Sequence, residues 1–117
     1  MTQVVTMYGI PNCDTIKKAR TWLSDHGVDH SFHDYRRNGI NQALLDELIE
    51  RAGWLALLNR SGTTFRALPE ADRADLDRER AAALMLAQPG MIKRPVLVTG
   101  DRTEVGFKPD RYAALFG

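Results

Sequence analysis

The hydrophobic pattern of the first forty residues changes twice, and that change limits the fold more than any other feature of the chain. Residues 3–8 are β-branched and apolar, a short continuous run that predicts a buried strand. From Asp14 to His26 the apolar residues Ile16, Ala19, Trp22 and Leu23 recur at helical spacing, and Gly27 supplies the stop. Val28 to Tyr35 alternates well enough for a second strand. Strand, helix and strand in that order favour a crossover with parallel pairing. At the first turn of this unit stands Cys13, the only cysteine in 117 residues. Gly9-Ile10-Pro11-Asn12 precedes it and a helix follows, so unsatisfied N–H groups and the positive end of the helix dipole favour its thiolate.

Beyond residue 40 the pattern turns helical. Asn41 predicts an N-cap, and Leu44, Leu45, Leu48, Ile49 and Ala52 form an apolar stripe that stops at Gly53. Residues 54–58 predict a further short turn of helix, and the polar stretch 59–64 predicts a loop. Pro69 suits the first turn of a short helix through about Leu76. Asp77 predicts the cap of another through Ala87, ended by Pro89-Gly90. The last segment returns to strands. Residues 95–99 are apolar, Gly100-Asp101 is a turn, and Arg102 to Val105 is a short return strand. Pro109 then opens a final helix with Tyr112, Leu115 and Phe116 on its inner side. The order is β-α-β, a helical block, then β-β-α.

Composition narrows the function classes. The net charge of +1 gives no strong field for nucleic acid or a membrane surface. One cysteine excludes an intramolecular disulfide and a multi-cysteine zinc site, and it suits a reducing compartment. His26, His30 and His33 have no paired spacing with Cys13, and His30 and His33 would face opposite sides of a strand, so no metal site is expected. There is no apolar run of ~20 residues and no signal-peptide pattern at the start. The expectation is a single cytoplasmic domain over residues 1–117, with a helical insertion at about 41–88 and a monomer as the default.

Three stretches carry a family resemblance: Tyr8-Gly9-Ile10-Pro11-Asn12-Cys13-Asp14-Thr15, Ala56-Leu57-Leu58-Asn59-Arg60, and Ile92-Lys93-Arg94-Pro95. At these separations the chain resembles the arsenate reductase (ArsC)/Spx-like family, most closely its branch described as glutathione-dependent thiol reductases. The resemblance implies a thioredoxin-like α/β fold with a mixed four-stranded sheet and a helical insertion. It makes Cys13 the match of a catalytic nucleophile, Arg94 of an arginine that helps bind the anion or the glutathionyl thiolate, and Pro95 of a cis proline. Asn12, Thr15, Arg60 and Lys108 complete the expected substrate- and glutathione-binding set. Two departures weigh against efficient arsenate reduction. Asn59 stands where the arsenate enzymes place an arginine, with Arg60 one place later, and Gly106-Phe107-Lys108 occupies the stretch of a third arginine. Neither asparagine nor lysine offers the planar fork of arginine.

Counting alone sets a further limit. Residue 16 is Ile, so there is no Cys-x-x-Cys pair, and Cys13 has no resolving partner in its own chain. A catalytic cycle then needs an outside thiol. The expected function is a cytosolic monothiol oxidoreductase with no bound cofactor, using glutathione as cosubstrate and a glutaredoxin as a candidate partner. Arsenate reduction is the alternative within the enzyme class. A redox-blind, Spx-like binder of RNA polymerase is the alternative outside it.

Overall fold

A computed structural model describes residues 4–11 and 13–116. Its elements are β1 (Val5–Gly9), α1 (Asp14–Asp25), β2 (Ser31–Asp34), α2 (Gln42–Ala52), α3 (Trp54–Leu57), α4 (Thr63–Arg66), α5 (Glu70–Arg73), α6 (Arg78–Ala87), β3 (Val96–Thr99), β4 (Arg102–Val105) and α7 (Pro109–Phe116). Two compact units result: one holds the residues up to Gly39 and those from Arg94 onward, and the other is Ile40–Lys93.

The first unit is built on a four-stranded sheet in the order β2-β1-β3-β4. β1 pairs parallel with β2, placing Tyr8 opposite His33 and Gly9 opposite Asp34. It pairs antiparallel with β3, placing Tyr8 opposite Val96. β3 and β4 form the hairpin expected around Gly100-Asp101, with Val96 opposite Val105. Val5, Met7 and Leu97 turn to one face, where Ile16, Ala19 and Leu23 of α1 and Tyr112 of α7 complete a buried cluster. The i, i+3, i+7 spacing of the α1 residues brings them onto one side of that helix. An added Cβ at Gly9 would stand 2.5 Å from Cδ1 of Ile16, so the missing side chain lets the first turn of α1 lie close on the strand. Helices around a mixed sheet in β-α-β and β-β-α order make this a thioredoxin-like fold.

Two polar features mark the α7 side. Glu104, opposite Leu97 on the hairpin, receives the Nε–H of Arg111 and, at 3.3 Å, an Nη2–H. That contact lifts the Arg111 guanidinium above its usual range, first through the hydrogen bond and then through the carboxylate charge. Among the described residues, the buried Tyr112 hydroxyl has no hydrogen-bond partner, and neither has that of Tyr35. Burial pushes both phenols well up, and the Glu104 carboxylate (for Tyr112) or repulsion from an ionised Tyr8 (for Tyr35) adds to it.

In the second unit the caps fall where the sequence places them. Asn41 Oδ1 accepts the Leu44 N–H at 2.8 Å, and Asp77 Oδ1 accepts the Arg80 N–H at 2.8 Å. Helices α2, α3 and α6 pack on one another. Leu58 and Ile92 form an antiparallel bridge, flanked by Asn59 N–H to Met91 O at 2.8 Å and Lys93 N–H to Leu57 O at 2.7 Å.

Several local expectations need correction. The second strand is Ser31–Asp34 rather than 28–35, because the Val28 N–H still closes α1 on Leu23 O at 2.8 Å and Tyr35 already enters a turn. His30 therefore precedes the strand and does not alternate with His33 on it. The stretch read as a loop contains the start of α4, whose Phe65 is buried. The helix after Pro69 stops at Arg73 instead of Leu76, since Ala74 is extended and Asp75 has a φ of 52°. Pro95 lies just outside β3, and Pro89-Gly90 form a 3-10 turn with Met91.

Leu23 is fully buried at the centre of the α1 contact. Leu23→Ala is expected to cost ~2–5 kcal/mol in denaturant unfolding, and a loss below ~1 kcal/mol would mean that α1 is not locked to the sheet. The two buried phenols have folded values above the unfolded one near 10. Their contribution to stability is therefore complete below pH ~10 and is lost as pH rises beyond it. Absorbance titration should show these two phenolates emerging only with alkaline unfolding; their appearance in the native protein would contradict the burial.

Candidate active site

Cys13 is the N-cap residue of α1, extended at φ −116° and ψ 126°, and its carbonyl accepts the Lys17 N–H at 3.0 Å. Its side chain makes no capping hydrogen bond. The thiol is thus half-buried, packed at its base against the core cluster, and set at a helix start whose first N–H groups lack intrahelical partners. Thr15 lies in that first turn, and exposed Asp14 opens it. Lys17, Lys18 and Arg20 lie on the exposed side of α1, with the Arg20 guanidinium 4.8 Å over the Phe32 ring.

The sheet register brings other segments to the same end. Arg94 and Pro95 immediately precede Val96, the partner of Tyr8, so they lie beside the end of β1 that leads to Cys13. The Arg94–Pro95 peptide bond is cis, as the resemblance implies. Gly106 donates to the Pro95 carbonyl at 2.8 Å, which brings the segment ending in Lys108 to this edge as well. The Lys108 carbonyl accepts the Arg111 and Tyr112 N–H groups at the start of α7, and its side chain is exposed. On the other flank, Tyr35 donates its N–H to Gly9 O at 2.9 Å. Tyr35 itself is 3% exposed and forms an aromatic cluster with Tyr8 and His33.

Among the expected site residues, the topology thus gathers Cys13, Thr15, Arg94, Pro95 and Lys108 at one end of one sheet. Arg60 belongs to the second unit, exposed in the turn after Asn59, whose Oδ1 accepts the Ser61 N–H at 3.3 Å. Asn12 lies outside the described residues. The side chains of Arg94 and Lys108 have no hydrogen-bond or ion-pair partner among the described residues. No group of three or more His, Cys, Asp and Glu that could hold a metal occurs among them. Among the described residues, no helix is long and apolar enough to cross a membrane.

Sequence reasoning did not single out Arg36 and Arg37, which follow β2 after Tyr35. The usable signal was the parallel β-α-β unit, because ligands of such sheets bind beyond the carboxyl ends of the strands.

Fold and site together define a thioredoxin-like protein with a single helix-start cysteine. Residues 8–115 match the ArsC family, and the chain belongs to it. An uncharacterized protein of Haemophilus influenzae is 39% identical over 97% of this chain and 99% of its own length. The solved YffB protein superposes with a TM-score of 0.93 at 57% identity, covering 97% of this chain and 100% of that one. An arsenate reductase-related protein from Brucella melitensis gives 0.81 at 53% identity, covering 99% and 97%. At a greater distance, the global transcriptional regulator Spx of Listeria monocytogenes is 29% identical over 92% of this chain and 82% of the regulator.

A cation at the same sheet end as a reactive thiol should favour anionic reagents. A unit charge pair contributes ~1 kcal/mol across 4 Å even in water, so Arg94→Ala should lower the iodoacetate-to-iodoacetamide rate ratio at Cys13 by about three- to tenfold. An unchanged ratio would remove Arg94 from the thiol's surroundings.

Proposed function

We propose that this protein is a monothiol oxidoreductase that works with glutathione in a reducing cytoplasm. The observation that carries the reading is the placement of the lone Cys13 at a helix start, at the sheet end where Arg94, with no side-chain partner among the described residues, precedes Pro95 and β3.

In the proposed cycle the Cys13 thiolate attacks the glutathionyl sulfur of a mixed disulfide. A Cys13–glutathione disulfide forms, the substrate's S–S bond breaks, and the substrate sulfur leaves with the electron pair and takes a proton from water. The thiolate of a second glutathione, having given up its proton, then attacks the glutathionyl sulfur on Cys13. Glutathione disulfide forms and the Cys13 thiolate returns. The net reaction turns one mixed disulfide and one glutathione into one substrate thiol and one glutathione disulfide. Helix-start N–H groups and the Thr15 hydroxyl would stabilise the thiolate, and Arg94 would hold the anionic group beside it. Pro95 would shape that edge, and Lys108 would supply further positive charge. A glutaredoxin is the alternative agent for the release step. No bound cofactor is needed, and a monomer suffices.

The likeness to Spx motivates a second reading, a regulator that binds RNA polymerase. Ile16 leaves it without a Cys-x-x-Cys switch.

In a glutathione-dependent assay with hydroxyethyl disulfide, coupled to glutathione reductase, Cys13→Ser should fall to the uncatalysed rate. Full retention of activity in that variant would refute the enzyme reading. An unreactive Cys13 together with stoichiometric capture of RNA polymerase would favour the regulator. Arsenate-dependent oxidation of glutathione at comparable rates would make the substrate an oxyanion.

A further inference from the structure

The arginines of the first unit separate by position. Arg20 lies over Phe32 and donates to His30 Nε2 at 3.4 Å, Arg102 donates to Ala114 O at 3.5 Å, and Arg111 binds Glu104. By contrast, Arg36, Arg37 and Arg94, all at the sheet end that carries Cys13, have side chains with no partner among the described residues. Exposed arginines normally find a nearby carboxylate or carbonyl when one is in reach. Here the adjacent Asp34 is already engaged. Its Oδ1 accepts the Arg36 backbone N–H at 2.8 Å, while its own N–H donates to Asn38 Oδ1 at 3.0 Å and its carbonyl accepts the Asn38 N–H at 2.7 Å. His33 Nε2–H closes the turn on Gly39 O at 2.7 Å. The turn is internally hydrogen-bonded, and the exposed Arg36 and Arg37 guanidinium groups form no ion pair among the described residues.

The strand order gives these groups their meaning. Across this end of the sheet, Arg36 and Arg37 follow β2, Cys13 follows the neighbouring β1, and Arg94 precedes β3 on the far side. Adjacent strands lie ~4.8 Å apart. A tripeptide extends to at most ~10 Å, so a thiol on its middle residue is ~5 Å from either end. Glutathione is a tripeptide of this kind, with its sulfur on the central residue and a carboxylate at each end. With its sulfur over Cys13 and Arg94 beside the reacting sulfurs, one terminal carboxylate falls over the end of β2.

We infer that Arg36 and Arg37 form a carboxylate subsite that holds one end of the glutathionyl group. The inference rests on the glutathione reading above and adds the residues that select glutathione over other thiols. Arginine is suited to the task because its planar fork binds a carboxylate through two parallel N–H donors.

The test compares the rates at which Cys13 is thiolated by glutathione disulfide and by the neutral hydroxyethyl disulfide, followed by intact mass. The ratio of the two rates is the readout, so a general loss of reactivity cancels. The wild-type ratio should exceed that of a free cysteine derivative. It should fall about tenfold in the double variant Arg36→Gln, Arg37→Gln and be partly restored by Lys at both positions. Glutathione disulfide esterified on its carboxylates should show the same fall on the unaltered protein, which needs no variant. A ratio that survives either change overturns the subsite while leaving the thiol enzyme in place. A wild-type Cys13 that reacts with neither disulfide overturns both.

Discussion

The arrangement depends on β1 being paired along both edges. A buried strand must satisfy its N–H and C=O groups, and β1 does so with β2 on one side and β3 on the other. One parallel and one antiparallel neighbour bring chain segments of very different sequence position to a common edge. Residues 34–37, 13, 94–95 and 106–108 meet there because Tyr8 has two cross-strand partners, His33 and Val96. No local preference of any of these segments would place them together.

On that frame the local chemistry is economical. α1 begins where β1 ends, with the thiol in the capping position and no side-chain bond satisfying the first turn. A helix terminus contributes up to ~1 kcal/mol to a nearby negative charge, and unpaired guanidinium groups add to it. Asp14 sets an exposed carboxylate in the first turn beside the thiol, while two other carboxylates of the unit are hydrogen-bonded. Glu104 is bound to Arg111, and Asp34 to the backbone of its own turn.

Much of this could be read from the chain because the signals are local. Hydrophobic period, Gly27, Asn41, Asp77 and Pro109 each act within a turn or two of their own position, and the elements they imply are present. The missed pieces depend on distance. α4 has the sequence Thr-Thr-Phe-Arg, poor in helix preference, and it is fixed by burying Phe65 rather than by propensity. The second strand is short because the chain leaving α1 is still closing that helix at Val28. Cys13 was legible from its place between a strand and a helix start, and Arg94 and Pro95 through family resemblance. Arg36 and Arg37, in contrast, look like an ordinary polar turn until the strand order shows what lies next to them.

The outer strands of the sheet have a consequence for how the molecule behaves among copies of itself. β2 and β4 are each four residues long, and Asp34, Arg102 and Glu104 put charge on them. An unpaired strand edge is a template for another chain, and short charged edges are poor ones. The more apolar strands, β1 and β3, occupy the two central positions, where both edges are already taken. A sheet ordered in this way resists aggregation through its own connectivity.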